Sequence, residues 1–409
     1  MVTDTTAGDA AIITDDWCRE HFDHLAPELA ADLQATLDRM RRHCPVAHSD
    51  RYDGFWVFTR YEDVLAIAQD WQTFSSAQGL TVPVSPIAVR NLPVEIDPPL
   101  QRAFKRLINP YFTPAVVARW EEPTRDLVRH LIDGFGAAGR CDFMADFARP
   151  YPALSFFRSA INAPAEDVEK VAYLASKSGT PNDPEAAACW AGLSEWIRNF
   201  VDARRSGPPL GDVVDAVIGA DIEGRPITDE EVIGTVQLLI LGGLETTAGA
   251  LGAMMIRFCR EPEVADRLRR DPDAIPAAVE ELLRLDGPFI SIARTVTRDT
   301  ELGGQVLKAG EKVIIYWASA SRDPAQFEHP DRFDPERAGN RHLAFGAGPH
   351  RCAGSHLARM NLRVALEELL PRLDDLRLQE GADIRFHSTF NRAPLSVPIR
   401  FRPGRRLAG

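Results

Sequence analysis

The stretch Phe345–Gly354, FGAGPHRCAG, sets three glycines, a histidine and a cysteine within ten residues. The run after it, SHLARMNLRVALEELLPRL, has the 3.6-residue apolar spacing of an amphipathic helix. Cys352 therefore sits just ahead of a helix expected to begin near Ala353, where backbone N–H groups and the positive helix end favour a thiolate. The other five cysteines, Cys18, Cys44, Cys141, Cys189 and Cys259, are far apart and show no CxxC or zinc-ligand spacing. They read as small buried hydrophobes, and no disulfide framework is expected.

Outward from this loop, the totals bound the answer. The 409 residues exceed the roughly 250 to 300 that one hydrophobic core usually spans, so length alone points to more than one lobe. With 45% hydrophobic and 26% charged residues the chain is a folded globular one. A net charge of -12 disfavours nucleic acid and anionic membranes as partners. The N-terminal MVTDTTAGDAAIITDDW is acidic without an apolar core, and no run reads as a membrane span, so a cytoplasmic protein is expected.

Helical spacing covers Pro27 to Cys44, and RYDGFWVFTR predicts two short strands around Asp53 and Gly54. The proline-bearing SSAQGLTVPVSPIAVRNLPVEIDPP has no periodicity and reads as a lid or binding loop. AVVARWEEPTRDLVRHLIDGF and AAACWAGLSEWIRNFVDARR are helices, and KVIIYWA is a strand. The fold class is mainly α with a minor antiparallel β region. TDEEVIGTVQLLILGGLETTAGALGAMM stands out, because Thr228 and Glu231 make a capping box that starts a long helix. Gly242 and Gly243 lie in its middle, where each costs up to about 1 kcal/mol against alanine. The pair implies either a close neighbour or a local opening of the helix. Glu245, Thr246 and Thr247 follow, a carboxylate and two hydroxyls in an apolar run.

A single thiolate without a second ligand nearby is suited to one metal site above others, the proximal position of a haem iron. Glycines around it let the loop lie flat against a porphyrin. The loop resembles the cysteine-ligand signature of the cytochrome P450 family, F-G-x-G-x-H-x-C-x-G, at Phe345, Gly346, Gly348, His350, Cys352 and Gly354. The family's E-x-x-R pair matches Glu281 and Arg284, with Arg337 as its third partner in a structural trio. The resemblance implies a P450 fold in which haem b lies between the long helix and the cysteine loop. It implies Cys352 as the iron ligand, with Arg294, His350, Gln101 and Lys105 toward the haem propionates. Lysine at 105 departs from the family's usual arginine and offers a point charge rather than a fork.

LGGLETT resembles the family's oxygen-binding groove, making Glu245 and Thr246 the acid and alcohol that deliver protons. The implied activity is a monooxygenase that puts one atom of O2 into a mostly apolar organic substrate. No flavin fingerprint is present, so residues 1–409 are expected to form one catalytic domain served by a separate ferredoxin and ferredoxin reductase. Arg102, Lys105, Arg106, Arg341, Arg351, Arg359 and Arg363 are expected to form a basic docking patch. The pocket lining implied is the 77–94 loop, Leu239, Gly242, Gly243, Phe289, Ile290, Ile292, Phe390 and Asn391, with Arg90 as a candidate partner for a substrate carboxylate. A peroxide-driven peroxygenase and a non-catalytic haem-thiolate sensor stay open as alternatives; the Glu245–Thr246 pair argues against both.

Overall fold

The computed structural model describes residues 15–26, 29–30, 32–84, 89–178 and 184–404. Most of the acidic N-terminal stretch and positions 85–88 of the proline-bearing loop lie outside the described residues.

The organising element is the central helix Asp229–Arg260, 32 residues long, about 48 Å at 1.5 Å per residue. Thr228 caps it: its hydroxyl accepts from the Glu231 N–H at 3.3 Å, and the Glu231 carboxylate accepts from the Thr228 N–H at 2.9 Å. Helices Pro150–Ser159, Val168–Ser178, Ala186–Ser206, Ile275–Asp286 and Ser355–Leu369 pack around it. By length and composition this helix is apolar enough to cross a membrane, which the sequence reading did not anticipate. Yet 61% of its most apolar window is buried inside the protein, so its apolar side chains serve the core of the molecule.

The helix stays closed through the glycine pair, and the two glycines have different surroundings. A Cβ on Gly243 would lie 2.9 Å from the Phe156 ring, whereas Gly242 has no atom within 4 Å of that position. One glycine admits a neighbour; the other borders open space. Nearer the start of the helix, a Cβ on Gly234 would overlap the Arg90 carbonyl oxygen. Leu92 N–H donates to the Gly234 carbonyl (3.2 Å), and Gln237 Nε2 donates to Asn91 Oδ1 (2.8 Å). The loop expected to act as a lid is therefore strapped to the central helix at its C-terminal part.

The main sheet has five strands in the order Val46–Ser49, Phe55–Phe58, Lys312–Tyr316, Ser291–Val296, Phe74–Ser75. Its pairings are antiparallel except one: Phe55–Phe58 runs parallel to Lys312–Tyr316. A parallel pair needs a long crossover, and here most of the helical part of the chain, including the central helix, supplies it. The two strands expected in RYDGFWVFTR sit differently, because Arg51–Asp53 forms a 3-10 turn with Tyr52 and Asp53 at positive φ. The first strand lies upstream, at Val46–Ser49. A second sheet joins Leu373–Leu378, Pro398–Pro403 and Arg140–Asp142, and a hairpin joins Phe386–Ser388 to Arg392–Pro394.

Cys18 and Cys44 depart from the expectation of scattered cysteines. Their sulfurs lie 2.9 Å apart in a separate small core under the sheet. Both are buried.

Candidate active site

The cysteine loop is shaped by backbone geometry only glycine takes easily. Gly346 and Gly348 have φ of 68° and 65°. A Cβ on Gly348 would also collide with the Ala68 carbonyl oxygen. The loop closes on itself through Cys352 N–H to the Phe345 carbonyl (2.9 Å) and Gly346 N–H to the Leu343 carbonyl (2.8 Å). The helix after it begins at Ser355, where the apolar pattern starts and two residues after the expected start near Ala353.

Two residues of the helix Leu100–Ile108 pin this loop from the side. Gln101, buried, donates from Nε2 to the Pro349 carbonyl (2.7 Å), and Lys105 Nζ donates to the Arg351 carbonyl (2.6 Å). Both side chains thus hold loop backbone in the three residues just before Cys352, a contact no local pattern reveals. Behind the loop, Arg284 meets both Glu281 oxygens at 2.8 Å, with both side chains fully buried. Arg337 Nε donates to the same carboxylate (3.1 Å), as do Asn340 Nδ2 (3.2 Å) and the Asp334 N–H (3.1 Å). Arg284 also donates to the carbonyls of Ser321 and Pro330. Asn340 belongs to this knot and was not visible in the sequence, since no local pattern marks it.

Cys352 is the exposed thiol among the six, though the protein around its sulfur desolvates it. Desolvation outweighs the loop's own electrostatics: burial pushes the thiol up, against the Gly354 N–H and the charges of Lys105, Arg351 and Arg359, which pull it down. This corrects the expectation that the helix end by itself favours a thiolate. A cation bonded to the sulfur is what holds such a group ionised.

The surroundings fit a group bearing carboxylates beside a metal. Arg294 is buried on the strand Ser291–Val296, and its one hydrogen bond among the described residues goes to the adjacent Ala293 carbonyl (2.7 Å). Burial lowers its guanidinium to about 10, with Asp97 the single anion felt. Asp97 is itself engaged by the Ser75 hydroxyl and the Ser76 N–H. Burial and the charges of Arg294 and Lys105 hold His350 at about 3, so its ring is neutral. Its Nε2 meets the Ser76 hydroxyl (3.2 Å), and its Nδ1 is buried without a partner. Cationic groups converging near Cys352 against one occupied carboxylate leave a place for anions, as haem propionates require. Among the described residues no three His, Cys, Asp or Glu side chains gather at metal-binding distance, which leaves a one-thiolate site as the chain's own offer.

On the central helix, the Thr246 hydroxyl donates to the Gly242 carbonyl (3.0 Å). Glu245 is half-buried, hydrogen-bonded to Ser176, and pushed up to about 7 by burial. The acid and the alcohol are neighbours in sequence without a direct bond to each other. Of the expected pocket lining, Leu239, Gly243 and Phe289 are partly open, and Gly242 and Phe390 are exposed. The Phe289 and Phe390 rings meet edge to face at 6.1 Å, and Phe289 bridges to Asn391. Ile290 and Ile292 are ordinary core instead: Ile290 packs in the small core with Phe55 and Tyr316, and Ile292 in that of Phe58 and Trp317. Arg90 is exposed.

The expected basic patch is smaller than the sequence suggested. Arg359 is held by both oxygens of Glu280 at 2.7 Å and lies over the Phe345 ring. Arg363 is paired with Glu121 and Glu367, and Lys105 is turned onto the loop. Arg102, Arg106, Arg341 and Arg351 stay exposed.

The fold and the site define a haem-thiolate protein, and comparison with known proteins agrees. The family model "Cytochrome P450" matches residues 178–389. Cytochrome P450-terp of Pseudomonas sp is 31% identical over 390 residues, covering 87% of this chain and 90% of the relative. Steroid C26-monooxygenase of Mycobacterium tuberculosis is 33% identical, covering 85% and 87%. The solved structure of a P450 EryK mutant in complex with erythromycin B superposes with a TM-score of 0.85 at 30% identity, covering 95% of this chain and all of that one. The chain belongs to the cytochrome P450 family. It is a monooxygenase using thiolate-ligated haem b and O2.

Proposed function

We propose that this P450 inserts oxygen into a small to medium, mostly apolar organic substrate, in the cytoplasm, with electrons from a separate ferredoxin and ferredoxin reductase. Residues 1–409 form one catalytic domain in this reading. The observation that carries the substrate class is the apolar set Leu239, Phe289 and Phe390, which stays at least partly open, together with Gly242, which borders free space. Two aromatic rings set edge to face suit a ring-bearing substrate, and the relative's name, steroid C26-monooxygenase, points the same way.

Bound haem supplies O2 activation, with the thiolate favouring O–O cleavage. Cys352 would hold the iron, while Arg294 and His350 would meet the propionates. Gln101 and Lys105 hold the loop backbone, and Glu281, Arg284 and Arg337 fix the segment that leads into the loop. Reducing the second oxygen atom to water consumes protons. Thr246 orients a water, and Glu245, ionising near neutrality, gains and gives up a proton at its carboxylate. A sensor or a peroxide-driven enzyme has no use for that pair. Arg102, Arg106, Arg341 and Arg351 are the cations left to attract an acidic ferredoxin.

The first test is the reduced carbon monoxide difference spectrum. A strongly red-shifted Soret band, lost in Cys352→His, is expected; an unshifted band in the unaltered protein removes the thiolate assignment. In Thr246→Ala, electron consumption continues while organic product falls about tenfold or more and hydrogen peroxide rises. Coupling equal to the parent enzyme rules out Thr246 as the delivering alcohol.

A further inference from the structure

A cavity of about 70 Å³ lies beside the central helix, between it, the helix Val168–Ser178 and the hairpin Phe386–Pro394. Its polar lining is Glu245, Ser176, His387, Asn391 and Arg149, with Leu395 at one end. Leu395, which also lines the cavity, is 46% exposed, and Arg149 Nη2 donates to its carbonyl (2.6 Å), so the lining includes surface residues. Glu245 lines the same cavity from the central helix, where burial has pushed its carboxyl up.

A water needs on the order of 10 to 15 Å³ of such volume and two to four polar partners. The cavity has room for several waters. Asn391 Oδ1 is buried without a hydrogen-bond partner, the condition an internal water relieves. Glu245 accepts from Ser176 within reach of the same space. His387 is half-buried, and burial lowers its pKa, so the ring is neutral near pH 7. One nitrogen can then accept a proton while the other donates one. Arg149 is the one permanent cation facing Glu245, and no second carboxylate lines the cavity among the described residues.

We propose that this cavity is the proton inlet of the enzyme, in which water carries protons from solvent past His387 to Glu245. The proposal rests on reading Glu245 and Thr246 as the proton-delivering pair. The step moves protons only: the Glu245 carboxylate takes a proton from a cavity water, which regains one through the His387 ring from solvent. No electrons move, and each delivery restores the starting protonation. His387 is a relay to Glu245 and touches neither substrate nor cofactor.

The test uses the substrate-free ferric holoenzyme and its protonated-carboxyl infrared band, assigned by its loss in Glu245→Gln. The band should titrate near pH 7 in the parent protein. In His387→Phe, which removes the polar end and excludes water, the midpoint should rise by about one unit, a tenfold change in the equilibrium. His387→Gln keeps the water and should leave the midpoint in place. Both variants should slow steady-state turnover several-fold and enlarge its solvent deuterium isotope effect, since neither side chain passes protons at neutral pH. An unmoved midpoint in His387→Phe, or turnover and isotope effect unchanged in both variants, overturns the inlet. If Glu245→Gln also turns over normally, the failure lies with the acid–alcohol reading instead. If Glu245→Gln is slow while both His387 variants are normal, the inlet alone fails.

Discussion

The two faces that flank the site are built in opposite ways. Behind the cysteine loop the charged groups are spent: the Glu281 carboxylate receives Arg284, Arg337, Asn340 and a backbone N–H, while Gln101 and Lys105 close on loop carbonyls. On the central helix and the hairpin packed against it the groups are underused. Glu245 sits near half-ionisation, Asn391 Oδ1 has no partner, and Gly242 borders open space. A metal ligand needs a fixed position, which a saturated buried network provides at the cost of any freedom to exchange protons. Proton delivery needs groups whose charge can change, and those stay labile only where hydrogen bonding is incomplete.

Breaking the saturated face should have the largest effect. Arg284→Ala leaves the Glu281 carboxylate buried with a partner lost, so stability should fall by about 3 to 5 kcal/mol. Haem content and the thermal midpoint should drop together, and a variant with normal haem loading would show that the knot does not position the loop.

Arg294→Met sharpens the contrast, because its effect should have opposite signs in two states. In the haem-free protein a buried guanidinium without a carboxylate partner is removed, so stability should rise by about 1 to 3 kcal/mol. Haem affinity should fall about tenfold or more through lost propionate contact. Haem titration and apo-protein melting read the two signs separately.

On the labile face, Glu245→Gln should show a pH-dependent gain. The folded-state carboxyl is raised from its ordinary 4.5 to about 7, so the acid's contribution is intact below about 4.5 and is lost as pH rises through 7. Glutamine never ionises. The melting temperature of Glu245→Gln relative to the parent should therefore increase from pH 4.5 to pH 8; a constant difference would mean the carboxyl titrates normally.

The smallest effect is expected at the surface. Arg106→Glu, with an exposed side chain, should slow ferredoxin-supported reduction a few-fold at low salt and less at high salt. Arg359→Ala should act first on stability, since that guanidinium is already bound to Glu280.

The sequence made the cysteine loop legible because glycine φ requirements, the cysteine and the next helix are all local. The same holds for Glu281 and Arg284, three apart on one helix, and for the Thr228 capping box. What stayed hidden joins distant segments. Asn340 reaches Glu281 across 59 positions, and His387 and Ser176 line one cavity with Glu245 only because a hairpin and a helix pack on the central helix. The pairing of Cys18 with Cys44 was equally invisible. Ile290 and Ile292 were misplaced because an apolar residue looks the same in a pocket wall and in a core.

Residue identity and short spacing thus carried the resemblance that gave the class of protein, singled out Cys352 as the proposed iron ligand and marked the long helix, since each pattern lies within a few turns of chain. Only the tertiary structure decided which charges remain available. It spent Arg359 and Arg363 on carboxylates, left Arg294 without one, and raised Glu245 and the Cys352 thiol. Protonation and pairing depend on burial and on neighbours brought from far along the chain, and no local pattern encodes either.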